Sequence, residues 1–284
     1  MWNKSKDVGI LPQYLALTYL FLLANTSVFL TQLEHASFSA VVFALAAQLS
    51  YSFAYLLPII LILAILNGIF SLPALAGPLQ KSRLLPRWVL YGLAVILTGI
   101  LQVLVFADGF IFRFYSFHIN GFVWNLVCTK GGIESMGSDT SATFTFTLII
   151  VGFFLLQILL LVLLLKAKPL QKVSQLLFTR KRLTISVLTV LLLAGLQSFA
   201  YGLSNLYAYS PVLTASEVFP LYFPVTFKKL AKSFGIEPRK NTAFRLKVKD
   251  LNLRYPLAPL TEAAEHPQYN IVWLVAESLR ADML

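Results

Sequence analysis

Five stretches of this chain, residues 12–33, 40–70, 88–107, 143–165 and 183–206, contain no Asp, Glu, Lys or Arg. Each is about 20 residues or longer, the length at which an α-helix crosses the ~30 Å hydrocarbon core of a bilayer. Inside lipid no water meets a bare N–H or C=O, so the backbone must satisfy itself. For separate runs of this length the helix does so. The composition agrees: 58% of the 284 residues are hydrophobic and 12% are charged, about half the charge of a typical soluble domain. Residues 1–207 therefore read as an all-α polytopic membrane domain with five transmembrane helices. The first run is too long for a signal-peptide core and reads as an uncleaved anchor. The second is unusually long. Pro58 should kink it and Asn67-Gly68 should loosen its end, yet a hairpin would leave two halves too short to cross.

The Lys and Arg residues between the runs set the expected orientation. Lys4, Lys6, Lys81, Arg83, Arg87, Lys166, Lys168, Lys172, Arg180, Lys181 and Arg182 fall on one side, and only Arg113 and Lys130 on the other. Eleven against two predicts a cytoplasmic N-terminus, with everything after the fifth helix outside. The formal net charge of +11 does not point to nucleic acid. Its carriers sit in short segments that would meet anionic lipid headgroups. None of the five runs holds an ionisable residue of the kind that marks an ion or proton path, which argues against a transporter.

The connection at 108–142 carries Phe110, Phe112, Phe114, Tyr115, Phe117, Phe122 and Trp124. Aromatic side chains favour the headgroup boundary, so this stretch is either a short helix lying in the interface or an aromatic belt that anchors the bundle. Gly131-Gly132 should break it, and Ser138 or Asp139 can cap the next helix. His118 reads as an interfacial histidine bonded to backbone. The single cysteine, Cys128, has no partner for an intramolecular disulfide and reads as a buried small side chain.

Beyond the fifth run, residues 208–268 read as a linker, with nine Lys or Arg between Lys228 and Arg254. A six-residue apolar run at 271–276 suits a buried parallel strand. Glu277 then stands at the strand's carboxyl end, where open α/β sheets bind ligands, and a carboxylate is a hard donor for a divalent cation. Glu277 reads equally well as a first-turn acid favoured by a helix dipole.

The terminal Glu277-Ser278-Leu279-Arg280-Ala281-Asp282 after its strand resembles the start of the alkaline-phosphatase/sulfatase superfamily. The stretches at 118–126 and 131–137 resemble the outer loop of one membrane-anchored group within it, the YejM/PbgA-type inner-membrane proteins. Residues 223–229 and 255–260 resemble that group's juxtamembrane linker. The resemblance implies a bacterial inner membrane, a periplasmic linker at 208–268, and the first strand of a truncated sulfatase-like domain at 269–284. It makes Glu277 a single ligand of an incomplete metal site whose other ligands lie further along such chains. The chain as it stands is thus expected to be inactive and to hold no cofactor, a divalent metal belonging to a full-length parent. It also implies that Thr226, Phe227, Lys228, Lys229 and Lys232 meet lipid A, the phosphorylated disaccharide anchor of lipopolysaccharide. In that picture Phe227 and Leu230 enter the acyl zone. Composition alone fits a generic basic helix drawn to anionic lipid just as well. The group further implies a membrane-protein partner that regulates lipopolysaccharide synthesis. The rival function is the anchor of a metal-dependent hydrolase or of a phosphoethanolamine- or phosphoglycerol-type transferase.

Overall fold

The computed structural model describes residues 9–33, 37–70, 85–130 and 140–235. Every regular element among these residues is helical. Five helices are long and apolar enough to span a membrane. They are α1 (Ile10–Leu30), α2 (Phe38–Phe70), α3 (Leu85–Tyr115), α5 (Thr140–Lys166) and α7 (Arg180–Tyr207). Four shorter helices accompany them: α4 (Gly121–Cys128), α6 (Lys168–Leu177), α8 (Ser210–Glu217) and α9 (Lys228–Ser233). The chain is a multi-pass membrane protein.

α1 packs against α2, α3 and α5, while α7 packs chiefly against α2. Burial of oil against oil gains little within a bilayer, so polar contacts and close backbone approach hold such bundles. α1 supplies them to each neighbour. The Tyr14 hydroxyl lies 2.7 Å from Thr98 Oγ1 on α3 and donates to Gln157 Oε1 on α5, also at 2.7 Å. Asn25 Nδ2 donates to the carbonyl and side-chain oxygens of Gln102 on α3, at 2.8 and 2.9 Å. Toward α2, Thr26 Oγ1 and Ser52 Oγ are 3.0 Å apart, and Gln48 Nε2 donates to the Leu23 carbonyl at 2.9 Å. Gly109 lets α3 close on α1, since a Cβ there would come 2.5 Å from a Val28 methyl. The opposite faces, such as Leu188, Leu191, Leu192 and Leu196 on α7, are exposed and apolar, as lipid-facing side chains should be.

α2 is one element with Pro58 inside it, as its length predicts. α6 is amphipathic. Gln171 Nε2 donates to the Leu164 and Leu165 carbonyls, capping α5, and Ser174 bonds to Gln13 of α1. α3 departs from expectation, running eight residues past the predicted end at 107. Asp108 and Arg113 are therefore helical, and the premise that no spanning helix carries ionisable groups is corrected. The helix survives Asp108 because both oxygens of that carboxylate have partners.

Candidate functional site

The ends of α1 and α3 and the starts of α2 and α5 meet opposite the Lys/Arg-rich end, together with α4, α8 and residues 218–227. α3 stops where Ser116 takes a left-handed conformation, φ 56°. The chain then folds back on Asp108, which is only 5% exposed. Asp108 Oδ1 accepts the Ile119 N–H at 2.6 Å, and Oδ2 lies 2.7 Å from His118 Nδ1. His118 Nε2 in turn donates to the Glu217 carbonyl at 2.9 Å. The imidazole stacks on Phe112 at 4.5 Å and meets Phe29 edge-on. One carboxylate and one ring thus tie α3, the turn before α4, and the end of α8. Asn120 caps α4 by accepting the Phe122 and Val123 N–H groups. His118 is bonded to backbone as the sequence suggests, but its acidic partner is a finding of the structure. Cys128 corrects the expectation of burial: it is exposed.

α8 starts with Pro211 in its first turn and buries Val212, Ala215 and Ser216 against α2 and α7. Residues 218–227 then return across the bundle under tyrosine clamps. The Tyr55 hydroxyl donates to the Pro220 carbonyl at 2.6 Å, and the Phe223 N–H donates to the Tyr51 hydroxyl at 2.8 Å. Tyr222 stacks on Tyr51 at 5.0 Å and donates to Gln197 Oε1 at 2.8 Å. Burial, ahead of the neighbouring phenols of Tyr51 and Tyr201, pushes the Tyr222 hydroxyl up. It therefore stays a proton donor at ordinary pH.

The predicted lipid-contact residues come directly after this clamp. Phe227 docks over Gly202 of α7 and packs beside Phe199, ring centroids 5.6 Å apart. A Cβ at Gly202 would overlap the Phe227 ring, so only glycine admits it. Phe227 is hence a half-buried pin on the bundle. α9 begins right after it and buries Ala231. Lys228, Lys229 and Lys232 are exposed, as are Thr226, Leu230, Phe223 and Phe234. On a helix, positions 228, 229 and 232 fall on one face. The structure thus brings the three lysines together on a ledge edged by apolar side chains.

Glu277, the run at 271–276 and the linker from 236 onward lie outside the described residues, as do Gly131, Gly132, Ser138 and Asp139. Among the described residues no three His, Cys, Asp or Glu side chains converge on a metal-sized site. The tyrosine clamp and the Asp108–His118 tie were not singled out from the sequence. The Gly202 notch carried no sequence signal beyond a glycine in an apolar helix. A family model described as a domain of unknown function (DUF3413) matches residues 9–262. No curated protein matches the chain.

Proposed function

The chain belongs to the DUF3413 family, and from that premise we propose that it is a lipid-sensing, envelope-regulating protein of the bacterial inner membrane, similar to the YejM/PbgA type. Its α9 ledge binds lipid A or another anionic lipid in the outer leaflet. The observation that carries this reading is the ledge itself. Lys228, Lys229 and Lys232 stand exposed beside Leu230 and Phe234, on a segment pinned to the bundle by Phe227 and two tyrosine bonds. A phosphorylated amphiphile needs that pairing: cations at headgroup level with apolar side chains next to them. α9 has only six residues, so its dipole adds little and the lysines supply the attraction.

Pinning matters for sensing. A lipid that binds a ledge tied to α2 and α7 changes the free energy of both helices, whereas a loose basic tail would report nothing to the bundle. The membrane-protein partner implied by the resemblance would read that change. The eleven-to-two bias of Lys and Arg supports an outer-leaflet position for the ledge. Lipopolysaccharide retained by the purified full chain is the test. Retention should fall in the Lys228→Ala/Lys229→Ala variant. Unchanged retention in that variant would defeat the proposal.

A further inference from the structure

A second lipid-shaped feature lies at the other end of the bundle and does not depend on the ledge. Because α7 packs chiefly on α2, a cleft of about 1090 Å³ opens beside it. Leu15 and Tyr19 of α1, Phe53 and Ile60 of α2, and Val190 of α7 are among its walls. The Tyr19 hydroxyl is spent on the Leu49 carbonyl at 2.9 Å, which leaves its ring as apolar lining. Along α7 the cleft extends from Arg182 to Val190. That is about 12 Å of helix, close to half of a ~30 Å hydrocarbon core. Along α2 it runs from Asn67 to Phe53, about 21 Å of helix, so it reaches from headgroup level inward to the region of the bilayer midplane.

Two guanidiniums, Arg87 at the start of α3 and Arg182 at the start of α7, line the same cleft. Arg182 donates to the Leu176 carbonyl, which fixes its position without neutralising it. Arg87 is exposed. Among the described residues the only carboxylate side chains are Asp108 and Glu217, and both belong to the opposite end. Neither cation has an acidic partner among those residues. Guanidinium forks match phosphate oxygens, and an open apolar cleft in a membrane takes whatever hydrocarbon is next to it. A polypeptide helix could fill the apolar part, but without acids it would offer the arginines no counter-charge.

We infer that this cleft holds one anionic glycerophospholipid of the leaflet at the Lys/Arg-rich end. Its phosphate meets Arg87 and Arg182, and its acyl chains lie along Leu15, Tyr19, Phe53, Ile60 and Val190. A zwitterionic lipid is disfavoured because its own ammonium adds charge beside the arginines.

The test uses the full chain in nanodiscs of equal phosphatidylglycerol and phosphatidylcholine, with retained lipids counted by native mass spectrometry after gentle release. One phosphatidylglycerol should be retained in preference. Arg87→Gln should reduce that preference by roughly tenfold, the effect of losing one charged hydrogen bond. Arg87→Lys should fall between, and Lys168→Gln, off the cleft, should change nothing. Ala64→Trp, which fills the cleft, should reduce retention of both lipids, while Arg87 lies on the surface and its variants keep the fold. A photo-reactive side chain at position 190 should capture lipid. Equal retention of the two lipids by the wild type, or an unaltered preference in Arg87→Gln, would overturn the inference. So would capture of a polypeptide, from this chain or another, at position 190.

Discussion

Replacing Gly202 first by alanine and then by valine should loosen the ledge stepwise. A Cβ at this position would lie less than 3 Å from three atoms of the Phe227 ring, against an optimal carbon–carbon separation of about 3.5–4.0 Å. The ring must therefore retreat by about 1 Å. Overpacking of this kind costs about 1–3 kcal/mol, and the Phe199–Phe227 pair, worth about 0.5–1.5 kcal/mol, is weakened as well. Taking about 2 kcal/mol for alanine, the open form of the ledge should rise roughly 30-fold, and further for valine. The loss should stay local, because Tyr51 and Tyr55 hold Phe223 and Pro220 independently of Phe227. Hydrogen exchange in nanodiscs reads this directly. Amides of residues 227–233 should exchange faster in the order glycine, alanine, valine, with α8 unchanged. Wild-type protection of 227–233 in Gly202→Val would refute the pin, and an equal rise in α8 would show that the segment is held as a whole.

The bundle's polar contacts and its orientation can each be tested by substitution. Asp108→Ala strands the Ile119 N–H and His118 together and should cost about 2–4 kcal/mol, seen as a lower melting temperature in detergent, with Asp108→Asn losing less. Gln157→Leu breaks the bonds from Tyr14 and Thr18 but also removes a buried Nε2 that has no partner among the described residues. Its net cost should therefore be only about 1 kcal/mol, within the range for interhelical bonds in membranes. A membrane-impermeant thiol reagent applied outside should label the exposed Cys128, and in a Cys128→Ser background should leave Lys172→Cys unlabelled. Labelling at position 172 would reverse the orientation.

The spanning helices were legible because freedom from charge over membrane length admits one solution, and α1, α2, α5 and α7 start and stop within about three residues of the predicted runs. α3 was legible as a span but not in its end, because Asp108 and Arg113 look like the start of a loop. What carries the helix through them is a contact from His118, ten residues on, which no local pattern records. α6 went unread because its lysines entered only the orientation count. Its apolar positions 170, 173 and 177, spaced for one helix face, were available and sit between Lys166 and Arg180. At the ledge, the lysines stand out in the sequence, but the docking of Phe227 on Gly202 does not. An aromatic beside a membrane looks the same in sequence whether it faces lipid or a glycine on the next helix. The tyrosine clamps join residues more than 160 positions apart, and distances of that order leave no trace in a single sequence.

The measurement that bears most directly on the proposed function compares binding of lipid A with that of phosphatidylglycerol, at matched surface charge, to the wild type and to Lys228→Ala/Lys229→Ala. Recognition by a pinned ledge predicts tighter binding of lipid A by the wild type, a loss of roughly tenfold in the double variant, and a smaller loss for phosphatidylglycerol. A generic basic patch would bind both lipids alike, lose both alike on mutation, and weaken steeply with salt. Equal binding with equal losses would contradict specific recognition and leave residues 226–232 as an electrostatic anchor.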